Sequence, residues 1–137
     1  MVKNNILAAV ISTLLLLQCS ATLAAEECIL AEQSTPNDAK DYIQCLDRKI
    51  DGLTRQQQSW VNKITSDLKT IEEETGNTQM LPIFKRSVVS QSKYLKDSCK
   101  WRYLQKMPNG TQAAINYKRC EIKILEQHIE VLKQPLK

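Results

Sequence analysis

Apolar side chains recur along the middle of the chain at steps of three and four. Tyr42, Leu46, Ile50, Leu53, Trp60, Ile64, Leu68 and Ile71 form one stripe, with the polar Gln57 set within it. That spacing is the signature of an amphipathic helix. Lys49, Arg55, Asn62, Lys63 and Lys69 fall on the opposite face. Thr35-Pro36-Asn37-Asp38 supplies the start: a capping threonine, a proline at the first helical position and an acid in the first turn. Gly76-Asn77 supplies the end. Glu72-Glu73-Glu74 meet the negative end of the helix dipole, which predicts fraying. Gly52 costs about 1 kcal/mol relative to alanine in a helix interior, and predicts a bend or a break into two helices.

A second helix is expected from Pro82, with Phe84, Val88, Gln91, Leu95, Cys99 and Tyr103 on its apolar face and Val89 and Tyr94 beside them. Pro108-Asn109-Gly110 stops it, because proline has no N–H and Asn-Gly adopts turn geometry readily. Thr111 is the expected cap of a third helix. Its apolar face reads Ala114, Tyr117, Cys120, Ile124, Leu125, His128, Val131 and Leu132, and Pro135 ends it. No alternating β-branched run bounded by turns appears. The expected class is all-α: a small antiparallel bundle of about three main helices, with the second and third joined as a hairpin.

The N-terminus has a different character. Lys3 is followed by an apolar run from Ile6 to Leu17, too short to span a bilayer comfortably, and then by small residues at Ser20-Ala21-Thr22-Leu23-Ala24-Ala25. This reads as a secretory signal peptide over residues 1–25, leaving a single helical domain over 26–137. A second reading puts a lipid on Cys19 and would anchor the chain to a membrane. Gln18 precedes that cysteine where the peptidase needs a small residue. No later segment is apolar enough to cross a membrane. Removing residues 1–25 takes away only the charge of Lys3, so the net charge falls from +4 to +3. That is too weak to argue for a nucleic-acid partner.

Four cysteines then remain: Cys28, Cys45, Cys99 and Cys120. An even count behind a signal peptide implies a disulfide framework made in an oxidising compartment, and the bacterial periplasm is the expected address. Three pairings are open to four cysteines. Cys28–Cys45 with Cys99–Cys120 is preferred, because each closes a local loop beside a predicted turn. No C-x-x-C spacing is present, which disfavours a thioredoxin-like motif and a four-cysteine zinc site.

This layout resembles the LprI-type lysozyme-inhibitor family of secreted bacterial proteins. Cys28 and Cys45 look like that family's early cysteine pair, and Leu53-Thr54 like its Leu-Asn step. Cys99 and Cys120 look like the late pair. Asn109-Gly110-Thr111 stands where the family has Gly-Gly-Ser, and Gln91-x-x-Tyr94 where it has Gln-x-x-Trp. The chain departs from the pattern in two places. Tyr94-Leu95-Lys96-Asp97 only faintly matches Tyr-Arg-Asp, and Ile124-Leu125 followed by His128 replaces Leu-Thr and an arginine. The resemblance covers nearly the whole of residues 26–137. It implies a disulfide-stapled helical domain that acts by binding a lysozyme-like cell-wall hydrolase.

Chemistry-bearing residues are sparse. His128 is the single histidine, and no nucleophile motif surrounds it. The expectation is a protein that is not an enzyme and needs no cofactor or metal. Glu72-Glu73-Glu74 read as a solvated run, since adjacent helical residues diverge. Asn109-Gly110-Thr111 matches a glycosylation sequon but reads as a turn with a helix cap.

The best candidate for partner binding is Lys100-Trp101-Arg102, with Asn109 and Gly110 at the hairpin tip. Four consecutive helical residues, Lys100 to Tyr103, point around the helix and cannot all be buried. Tyr103 shares a face with Cys99, while Trp101 is expected to pack on the first helix with basic residues around it. Lys93, Lys96 and Lys100, with Lys118 and Arg119 across the hairpin, would make a basic patch for anionic envelope polymers or lipid headgroups. A chain of net charge +3 is not steered toward a strongly basic lysozyme. Inhibition would then rest on local acids such as Glu72 to Glu74, or on a neutral tip entering the cleft. The alternative is an envelope interaction, immunity or stress protein with no action on lysozyme.

Overall fold

Each expected helix forms, in the computed structural model, which describes residues 27–30 and 35–136. Residues 1–25, with the expected signal peptide and Cys19, lie outside the described residues. The order is α1 (Pro36–Thr75), α2 (Met80–Leu104) and α3 (Gly110–Leu132), with no strand among the described residues. The fold is an all-α, disulfide-stapled bundle. Among the described residues, no helix is long and apolar enough to cross a membrane.

α1 begins on a reciprocal cap. The Thr35 hydroxyl accepts the Asp38 N–H at 3.3 Å, and the Asp38 carboxylate accepts the Thr35 N–H at 2.7 Å. The Thr35 N–H, and the Thr35 hydroxyl donating to the same carboxylate at 2.8 Å, favour the charged acid and hold its pKa below the usual value. The helix then runs unbroken for 40 residues, about 60 Å at the usual rise. Gly52 does not divide it. The stripe continues through Ile50 and Leu53, both packed on the core, and their burial outweighs the glycine's cost of about 1 kcal/mol. At its end the helix continues through Glu72–Glu74 to Thr75. Gly76 adopts the left-handed conformation, with φ 71°, and its N–H closes on the Glu72 carbonyl at 2.9 Å.

α2 starts at Met80, two residues before Pro82. The proline sits in the first turn, where no intrahelical N–H bond is lost. Only Leu81 and Cys99 of α2 are buried. Val89 and Tyr94, expected at the edge of its apolar face, are exposed, because α2 packs mainly on α3 and little on α1.

α3 lies between the other two and needs two apolar faces. That explains the buried Ala113, Ile115, Ile122 and Ile129, none of which belongs to the expected stripe. It also explains Val131, which points out while its neighbour Leu132 takes the core position. The cap of α3 is Asn109, not Thr111: the Asn109 side chain accepts the Gln112 N–H at 3.0 Å.

The core forms two clusters. Tyr42, Leu46, Ile115 and Ile122 make one, joined by Cys28 and Leu30. Ile64, Leu68, Leu81 and Leu132 make the other, joined by Trp60 and Phe84. In sequence order, Gln57 and His128 fall between them. Gln57 Nε2 lies 2.7 Å from His128 Nδ1. The disulfides pair as expected. Cys28–Cys45 pins the leader onto α1 with Cα atoms 5.8 Å apart, and Cys99–Cys120 staples α2 to α3 at 5.5 Å. Each closed loop stabilises by about 3 kcal/mol through lost freedom of the unfolded chain.

Candidate functional site

The site follows from where Cys99 points. Its side chain is fully buried and bonded to Cys120. Two residues on is about 200° around a helix, so Trp101 faces outward and is 52 % exposed. It does not pack on α1: α2 makes few contacts with that helix, and the inward face at this level belongs to the disulfide. Arg102 lies beside it, with the guanidinium carbon 4.5 Å from the indole centroid. The backbone carbonyl of Arg102 accepts a hydrogen bond from Asn116 Nδ2 of α3 at 2.8 Å. On the inward side, one turn after Cys99, Tyr103 is half-buried and meets Tyr117 edge-on, with ring centroids 6.4 Å apart. The exposed Trp101–Arg102 pair is thus mounted on a cross-linked and ring-packed hairpin.

This pair forms one wall of a groove of about 520 Å³ between α2 and α3. Tyr94 extends the α2 wall, while Asn116, Arg119 and Lys123 stand on the α3 wall and Cys120 lies among the lining residues. No carboxylate lines it. Arg119 is oriented from α1: its Nε donates to the Tyr42 hydroxyl at 2.8 Å, with the guanidinium over the Tyr42 ring.

The remaining candidates lie elsewhere. Lys100 is exposed on α2 but does not line this groove. Asn109 and Gly110 are at the hairpin tip. There Asn109 borders a separate recess against the first turn of α1, beside Thr35 and Pro36. The basic patch expected across the hairpin is not assembled as expected. Lys118 turns to α1 and pairs with Asp47, and Lys93, Lys96 and Lys100 are absent from the groove. Arg119 alone of that set reaches it, and Arg102 and Lys123 supply its other cations.

The acids Glu72 to Glu74 lie in the last turn of α1, and the tip lies beside its first turn. At 1.5 Å per residue they are roughly 50 Å apart, so they cannot serve one site. Among the described residues, no three histidine, cysteine, aspartate or glutamate side chains cluster to hold a metal ion.

A second groove of about 500 Å³ lies at the other end of the bundle. It is lined by Met80, Ile83, Phe84, Val131, Leu132 and His128 among others. Sequence reading missed both grooves. Tyr94 was placed near the core, Lys123 carried no signal, and the partners of Arg119 are more than seventy residues away.

Comparison with protein-family models, with curated proteins and with solved structures finds no match.

Proposed function

We propose that this chain is a secreted, non-enzymatic binding protein of the bacterial envelope, akin to LprI-type lysozyme inhibitors, and that it acts by docking on a protein partner such as a lysozyme-like cell-wall hydrolase. The observation that carries this reading is the outward-facing Trp101–Arg102 stack on a disulfide-stapled hairpin. Tryptophan and arginine are the residues most enriched among binding hot spots. Holding them on a rigid hairpin lowers the ordering cost of association. Two disulfides suit folding in an oxidising compartment such as the periplasm. A basic lysozyme-like hydrolase carries a net charge of the same sign as this chain's own. Its cleft nevertheless carries two carboxylates flanking the scissile bond, and these are local targets for Arg102.

The test is lysis of a cell-wall substrate by lysozyme in the presence of the purified, oxidised protein. Slowed lysis that is relieved by Trp101→Ala or Arg102→Ala is the expected result. Unchanged lysis at large molar excess would rule out the hydrolase reading.

The basic groove favours a second reading: an envelope interaction, immunity or stress protein whose partner is acidic overall. Crosslinking in an envelope fraction would then recover a partner other than a hydrolase, with no effect on lysis.

A further inference from the structure

Two cations, Arg102 and Lys123, line one groove without a counter-charge, and Arg119 stands at its edge with its guanidinium turned to Tyr42, in a recess that Glu27 also lines. No carboxylate lines the groove itself, and none of the three cations belongs to an ion pair among the described residues. By contrast, Lys49, Lys63, Lys118 and Lys133 each have an acid within 4 Å. Arg102 and Arg119 instead rest on the rings of Trp101 and Tyr42, which fix the guanidinium positions without neutralising them. Gathering like charges costs energy that an acidic occupant returns. The flanking surface is aromatic, with Tyr94 58 % and Trp101 52 % exposed. The groove is also short. About 520 Å³ holds a few side chains rather than the backbone of a long polyanion, and a net charge of +4 is small for polyanion binding.

We infer that this groove recognises an acidic segment of a partner protein, with carboxylates at Arg102 and Lys123 and apolar side chains against Trp101 and Tyr94. This rests on the reading of the chain as a protein-binding module and names the chemistry its partner presents.

The experiment uses the full oxidised chain and a fluorescein-labelled dodecapeptide of glutamate and leucine, with a control in which glutamine replaces every glutamate. Fluorescence polarisation should show binding of the acidic peptide only. Arg102→Glu and Lys123→Glu should each weaken it about tenfold, and Trp101→Ala should weaken it without changing its salt dependence. Lys93→Glu, on the same helix but outside the groove, should change it less than about twofold. Both groove charges are exposed, and unchanged far-UV circular dichroism confirms that the variants fold.

The proposal fails if the glutamine peptide binds equally or the acidic peptide shows no binding at millimolar concentration. It also fails if Lys93→Glu matches Arg102→Glu, since binding would then follow net charge and not the groove. Binding of dextran sulfate, with no binding of the peptide, would point to an anionic polymer and overturn it too. The lysozyme assay separates the two ideas. Peptide capture without slowed lysis sinks the hydrolase alone, and slowed lysis relieved by Trp101→Ala with no capture of the acidic peptide sinks the groove alone.

Discussion

Gln57 on α1 and His128 on α3 meet at 2.7 Å between the two apolar clusters of the core. The amide nitrogen of Gln57 can only donate, so His128 Nδ1 accepts and its ring proton sits on Nε2. Burial lowers the pKa of His128 from its ordinary value of 6.5. In the window below 6.5, the unfolded chain therefore binds more protons than the native one. The contribution of neutral His128 to stability is complete above that value. It declines as pH falls through 6.5 toward the lower folded pKa. Urea midpoints measured at about pH 8 and about pH 5 should fall more for the natural chain than for His128→Gln, whose side chain does not titrate in that range.

The Cys99–Cys120 link holds the candidate site, so removing it should affect both stability and binding. Cys99→Ser with Cys120→Ser should cost about 2–5 kcal/mol. It should also leave Trp101 on a looser hairpin. Thermal melting reads the first effect, and the anisotropy of Trp101 in a Trp60→Phe background reads the second.

Binding and folding should separate cleanly by residue. Trp101→Ala should change stability by no more than about 0.5 kcal/mol, because the indole is exposed and the inward position belongs to Cys99. Ile129→Ala removes a fully buried side chain and should cost about 2–5 kcal/mol. Chemical denaturation of the two variants checks the contrast, and only the first should weaken partner capture without unfolding the chain.

The start of α1 depends on a local cap. Thr35→Ala deletes the hydroxyl that accepts the Asp38 N–H and should cost about 1 kcal/mol. Asp38→Asn should reproduce part of that loss near neutral pH and none of it in strong acid, where the carboxylate is already protonated. Amide exchange over the first turn of α1 would register both.

Local physics made much of this protein readable from its sequence. The stripe from Tyr42 to Ile71 needs only a period of 3.6 to be seen. Thr35-Pro36, Gly76 and Asn109-Gly110 mark boundaries because capping and turn geometry act within a few residues. The disulfide pairing was also legible, since each bridge closes a loop of 17 or 21 residues. Gly52 does not break α1 because a propensity cost of about 1 kcal/mol is small beside burial on either side of it. What the sequence by itself determined is therefore three helices, their ends to within about two residues, and their staples. Only the tertiary structure decided that α3 lies in the middle and buries Ile115, Ile122 and Ile129 on a second face. It alone turned Lys118 to Asp47, stacked Arg119 on Tyr42, and brought Arg102 and Lys123 to one groove. Those relations join residues from separate helices, and helical spacing tells which side chains share a face but not what that face will meet.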